Sequence, residues 1–188
     1  RILLPDGSEQ DLKRRGPANI KEMIPVTRRA RSLGAQALVA ECMAVRPDLQ
    51  WCCEHRLIKA HIGVITNIRP DHEDVMGTGL ENIARSLCNT APEAGVLVTT
   101  CGAAELVRSA MGQKAESQLV TVDGGAIGPE ELSGFPYEVI GENLALALAV
   151  CEMAGVDRQT ALNGMRQAQP DPGNVTVRAI RLDTKTVT

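Results

Sequence analysis

Apolar positions along the chain follow two alternating rhythms. Short apolar runs at 37–41, 62–66, 95–99 and 118–122 are bounded by glycine or polar residues and read as strands buried on both faces, as in a parallel sheet. Between them the period lengthens to that of a helix. Leu80, Ile83, Ala84, Leu87, Cys88 and Ala91 mark an amphipathic helix, with Thr78 and Glu81 as a capping box that starts it just after Gly77. Residues 144–154 are apolar all round and predict a buried helix entered through 140–143. Asn19 and Gly34 bound a helix over 20–33, in which Pro25 must either kink the helix or move its start. Other helices are predicted over 49–60 behind Asp48, over 103–111, and from Asp157 to about 165. Residues 2–4 and 10–12 form a hairpin around Asp6-Gly7, and the glycine-rich 123–128 lacks a Gly-Lys-Ser/Thr ending and reads as a turn. Strand and helix therefore alternate. The expected fold class is α/β, a three-layer, mostly parallel sheet with helices on both faces.

Composition sharpens this picture in a few places. The chain of 188 residues holds one Trp, one Tyr and one Phe, so its core must be aliphatic and alanine-rich, which suits helices packed on a sheet. That length accommodates one well-buried domain, or one domain and a fragment of another. A net charge of −3 gives no global attraction to nucleic acid, and the basic clusters at 13–15 and 28–31 read as solvated faces. Six cysteines show no C-x-x-C pair and are read as reduced thiols of a cytosolic protein; Cys42, Cys52, Cys53 and His55 fit no common zinc spacing. No signal peptide or apolar run near the ~18 residues of a spanning helix is visible.

The chemistry concentrates after the second strand. Pro70 ends that strand near Asn67, and Asp71, His72 and Asp74 follow within four residues. Glu41 closes the run at 37–41 in the same manner. In open α/β sheets ligands sit beyond the carboxyl ends of the strands, where Glu41 and His72 could meet around a divalent metal. The Asp/His cluster equally fits ordinary turn chemistry.

Three stretches taken together carry a resemblance: 39–48 (Val39-Ala40-Glu41 through Arg46-Pro47-Asp48), 60–77, and Pro170-Asp171-Pro172-Gly173. They closely resemble the ligase subunit of bacterial poly-γ-glutamate synthase, the capsule-type PgsB/CapB family. More loosely, Thr66-Asn67, Asp71-His72, Asp74 and Gly77 resemble the T-N-x-x-x-D-H-x-D-x-x-G signature of Mur ligases. The resemblance covers about 34–178 and implies a central ATPase domain that is Mur-ligase-like and related to P-loop NTPases. The hairpin and helix of 1–33 would belong to that domain, and 179–188 would start a linker to a C-terminal domain.

The implied activity is an ATP-dependent amide ligase that adds glutamate to a growing poly-γ-glutamate chain through an acyl phosphate. The nearest alternatives are another Mur-type ligase, of the folylpoly-γ-glutamate or cyanophycin type, and a non-catalytic nucleotide-binding assembly module. By motif position Glu41 would be a metal ligand, for Mg²⁺ or else Mn²⁺, His72 the ligand of a second metal or of bound phosphate, and Asp71 with Asn67 would hold the catalytic loop. Asn67, Asn143 and Arg178 would serve the nucleotide, with Asn143 facing the adenine. The partners implied are glutamate, the polymer chain and membrane subunits of a synthase complex, with no nucleic acid and with self-association left open. The expected location is the cytoplasm, peripheral to the inner face of the plasma membrane. Some positions depart from the Mur pattern: 85–88 lacks the modifiable lysine, Glu142 stands in place of His, and Leu146 in place of a second Asn. No Walker A loop occurs in the 188 residues, so the segment is expected to be a central domain trimmed at both ends that does not turn over ATP alone.

Overall fold

The computed structural model describes residues 2–12, 14, 16–168, 180–182 and 185–187. The chain divides into two compact units, Arg1–Gly63 with Arg69–Val96, and Val64–Ile68 with Leu97–Thr188.

The first unit begins with β1 (Ile2–Leu3) and β2 (Glu9–Gln10), paired antiparallel around the Asp6-Gly7 turn. Asn19 then accepts a 3.0 Å hydrogen bond from Lys21 N and opens one 3₁₀ turn, Ile20–Glu22, before α1 (Met23–Ser32). Pro25 thus falls in the first turn of α1, where a missing N–H costs little, so the start moves and the helix does not kink. At its other end Gly34 takes φ +64°, and the bonds Ala35 N to Ala30 O and Gly34 N to Arg31 O close the helix.

The predicted helix over 49–60 has two windings. α2 (Pro47–Cys52) carries Pro47 at its first position with Arg46 as N-cap, and Cys53–Ile58 continues as a π-helix. Asp48 is therefore not the cap; it receives the Arg46 guanidinium at 3.0 and 2.9 Å. The π winding ends at Lys59, φ +54°, whose N–H bonds Glu54 O at 2.7 Å. The buried Glu54 side chain accepts from Ala60 N at 2.7 Å, which satisfies it away from water.

After α3 (Glu73–Met76) comes α4 (Leu80–Leu87), whose Ile83 and Ala84 are buried as the periodicity requires. The expected capping box does not form. Gly77 and Gly79, at φ +94° and +90°, reverse the chain before the helix, so Gly79 takes the cap position and Thr78 lies outside it. Glu73 Oε1 instead accepts from Gly79 N at 2.9 Å.

The second unit holds the sheet, apart from residues 62, 63 and 96. β3 (Ile62–Ile65), β4 (Val96–Thr100) and β5 (Leu119–Val122) lie in the order β3-β4-β5 as a three-stranded parallel sheet with helices around it, the α/β fold expected. Leu97 pairs with Leu119 and Thr100 with Val122. Thr99 Oγ1 donates to Ile65 O at 2.8 Å and ties β3 to β4 inside the protein.

Helices α5 (Ala104–Met111), α6 (Ala115–Gln118), α7 (Pro129–Leu132), α8 (Gly141–Met153) and α9 (Arg158–Gln167) complete the unit before β6 (Ile180–Leu182) and β7 (Lys185–Val187), an antiparallel pair. Asp157 caps α9 by accepting from Thr160 N at 3.0 Å. Leu144, Leu148, Ala161, Leu162 and Ile127 form one core cluster, in which each buried Leu contributes roughly 1.5–3 kcal/mol.

One expected strand is missing. Residues 37–41 are irregular and exposed, with Val39 93% accessible, although their composition suits a buried strand. A strand persists only where a neighbour completes its hydrogen-bond ladder, and among the described residues no strand pairs with this segment.

Candidate functional site

In the first unit, Asp71 and His72 are brought together. His72 Nε2 lies 3.6 Å from Asp71 Oδ1, too long for a hydrogen bond, and both side chains are well exposed. His72 adopts φ +49° and ψ 34°, the left-handed region, as N-cap of α3, and its carbonyl accepts from Val75 N and Met76 N at 2.9 and 2.8 Å. The strand-to-helix connection after Pro70 is thus shaped by three positive-φ residues, His72, Gly77 and Gly79.

Glu41 sits exposed at the end of the irregular 37–41 segment and not at a strand terminus. Among the described residues no hydrogen bond or ion pair joins it to His72, and no three His, Cys, Asp or Glu side chains gather into a metal-binding group. Arg178 and Pro170–Gly173 lie outside the described residues.

In the second unit, Thr66 and Asn67 follow β3 directly, with Asn67 Nδ2 3.5 Å from Thr66 Oγ1. The carboxyl ends of β4 and β5 lead into Cys101-Gly102 and Asp123-Gly124-Gly125, with Cys101 N bonded to Val122 O at 2.9 Å. As the sequence suggests, 123–128 begins with a turn: Asp123 Oδ1 accepts from Gly125 N at 2.8 Å over the 3₁₀ segment Gly124–Ala126. The structure supplies a reason for glycine at 124. A Cβ there would stand 2.7 Å from Glu142 N and 2.8 Å from Glu142 Cα, so the loop and the start of α8 touch backbone to backbone. Glu142 is thereby held beside the turn that follows β5.

Asn143 is the third residue of α8, exposed on its first turn. It lines a cleft of about 420 Å³ with Phe135, Tyr137, Val139, Leu144 and Met165. Phe135 and Tyr137 meet edge to face, centroids 5.5 Å apart, and Tyr137 Oη donates to Met165 O at 2.7 Å. Burial pushes the Tyr137 hydroxyl above its ordinary pKa, so it stays a neutral donor at physiological pH. The cleft is open to solvent and combines aromatic and aliphatic walls with polar groups that include Glu138 and Asn143.

The sequence reading singled out Asn143 and not its aromatic neighbours. The signal was present: two of the chain's three aromatic residues stand two positions apart at 135 and 137.

A parallel sheet with polar loops at its carboxyl edge and helices around it defines an α/β protein. No family model matches the chain, and no solved structure matches it significantly. The chain is 41% identical over 167 residues, 88% of its length, to "Capsule biosynthesis protein CapB" of Bacillus anthracis. It is 40% identical over 167 residues to "PGA synthase CapB" of Bacillus subtilis (strain 168). Over that stretch the chain is similar to proteins named CapB, the family its motifs resemble. It spans 36% and 42% of these two relatives, so well under half of either.

Proposed function

We propose that this chain is the nucleotide-handling part of an ATP-dependent amide ligase that builds poly-γ-glutamate for a capsule. The observation that carries the reading is identity of about 40% over 167 residues to two CapB proteins, one named for capsule biosynthesis and one as a PGA synthase.

In the proposed reaction ATP is a substrate. Its γ-phosphoryl group passes to a carboxylate and leaves ADP, and the amine of an incoming glutamate attacks the acyl phosphate, forming the amide and releasing phosphate and a proton. Such transfers depend on positioning and on stabilising charge that develops on the phosphoryl oxygens. Asn143 and the Phe135–Tyr137 walls suit the adenine, and Asn67 and Arg178 would serve the rest of the nucleotide. Mg²⁺ takes one or two protein carboxylates when nucleotide phosphates supply other ligands. Glu41 is exposed and open to that role, with His72 beside it in the proposal and Asp71 ordering the loop. Mn²⁺ would accept this mixed oxygen and nitrogen set more readily than Mg²⁺.

The product would be made at the cytoplasmic face of the membrane together with membrane subunits. Among the described residues no helix is long and apolar enough to cross a bilayer. The test is phosphate release by the complete protein with its membrane partners. Release that requires both ATP and glutamate supports the reading. Release indifferent to glutamate, or none, overturns it.

A further inference from the structure

We propose that Arg166 is a positioning residue for the nucleotide base, acting through Phe135; this rests on the nucleotide reading of the Asn143 cleft. The aromatic walls of that cleft lie on the segment between α7 and α8, which is irregular apart from a single β-bridge position at Tyr137. α9 braces it further. Arg166 Nε donates to Ser133 O at 3.1 Å, and its Nη2 reaches Glu130 O at 3.2 Å and Glu131 O at 3.4 Å.

These carbonyls end α7, where a helix leaves its acceptors unpaired. The same guanidinium stands 5.6 Å from the centre of the Phe135 ring. Gly134, at φ +80°, lets the chain turn between the bonded carbonyls and the ring, with Arg166 Nε 3.4 Å from where a Cβ would be. The preceding residue of α9, Met165, accepts the Tyr137 hydroxyl through its carbonyl. Two consecutive positions of one helix therefore hold both aromatic walls.

The device depends on the shape of arginine. Its planar fork spans several carbonyls while its face covers a ring, and a lysine ammonium cannot do both. A fixed wall lowers the ordering cost that a planar base would otherwise meet on binding. The substitutions Arg166→Met, Arg166→Lys and Phe135→Leu should therefore act at the base and leave the phosphate end alone.

The experiment measures binding of ATP, GTP and inorganic tripolyphosphate to the complete protein by titration calorimetry, with circular dichroism as a check on folding. Arg166→Met and Phe135→Leu are each expected to weaken ATP binding about tenfold and to narrow the preference for ATP over GTP, with tripolyphosphate binding unchanged. Arg166→Lys is expected to behave like Arg166→Met. An unchanged ATP/GTP ratio in a folded Arg166→Met variant overturns the inference and leaves the nucleotide reading intact. An equal loss for tripolyphosphate also overturns it, because Arg166 would then only maintain the fold. If wild-type protein binds no adenine nucleotide, the nucleotide reading itself falls and this inference with it. Should Arg166→Met not fold, Phe135→Leu decides alone.

Discussion

Ser86 Oγ donates a 2.7 Å hydrogen bond to Gln50 Oε1 between α4 and α2, and both side chains are removed from water. Gln50 Nε2 also donates to Ala44 O at 3.1 Å, so one amide joins two helices and the segment before them. Ser86→Ala strands the Gln50 oxygen and is expected to cost about 1–3 kcal/mol in urea unfolding. Adding Gln50→Leu should cost less than the two single losses summed, because the pair acts together.

The thiols should differ sharply in reactivity. Burial pushes Cys53 up to about 12, with Cys42 beside it adding to the shift, and pushes Cys88 up to about 11. Cys101 is exposed at the end of β4. Iodoacetamide at pH 8 is expected to label Cys101 early and to leave Cys53 and Cys88 untouched until the protein unfolds, as read by peptide mass mapping. Early labelling of Cys53 would contradict the packing of the π winding.

Acid should weaken the second unit at two surface carboxylates. The Arg158 guanidinium, 2.7 Å away, holds the Glu131 carboxyl below its ordinary value, with Gly128 N assisting, and the bonds from Thr160 do the same for Asp157. Depressed values mean stabilisation that is present above the unfolded values of about 4.3 and 3.9 and is lost as pH falls through the lower folded ones. Both groups touch water, so the effect is modest. Glu131→Gln and Asp157→Asn should each flatten the fall in melting temperature below pH ~4.5 and leave less to lose.

Gly124→Ala inserts a Cβ 2.7 Å from Glu142 N, against backbone that cannot step aside cheaply. The expected cost is about 1–3 kcal/mol, with α8 displaced from the β5 turn. Gly128→Ala, which meets nothing within 4 Å, is the matching control and should be near neutral in the same thermal melts.

Glu41→Ala and His72→Asn, made in the complete protein, are expected to abolish glutamate-dependent ATP hydrolysis with circular dichroism unchanged. Wild-type turnover in both variants would remove these residues from the site.

Periodicity and caps made most of the architecture legible. The strands β3, β4 and β5, the stripe of α4, the all-apolar α8 and the Asp157 cap of α9 each follow from local pattern, although only β4 is buried as read and Val64 in β3 and Val120 in β5 are exposed. Failures came where the deciding partner is distant in sequence or absent. Residues 37–41 have the composition of a buried strand, but pairing makes a strand, and no described strand pairs with them. Thr78 and Glu81 have capping-box spacing, yet two glycines with positive φ set the chain direction there and override it. The π winding at Cys53–Ile58 has no periodicity that separates it from an α-helix in so short a span. At the cleft, Asn143 was singled out by motif position. The arginine that braces the cleft was not, because its partners are 31–36 residues away in sequence.

The left-handed backbone of His72 has a practical corollary. Its imidazole lies 3.6 Å from Asp71 Oδ1, too far for a hydrogen bond to hold the ring. One residue thus serves both as a corner in the chain and as the bearer of a ring. Asparagine tolerates that corner well, whereas alanine does not. Comparing His72→Asn with His72→Ala therefore separates loss of the ring from loss of the bend.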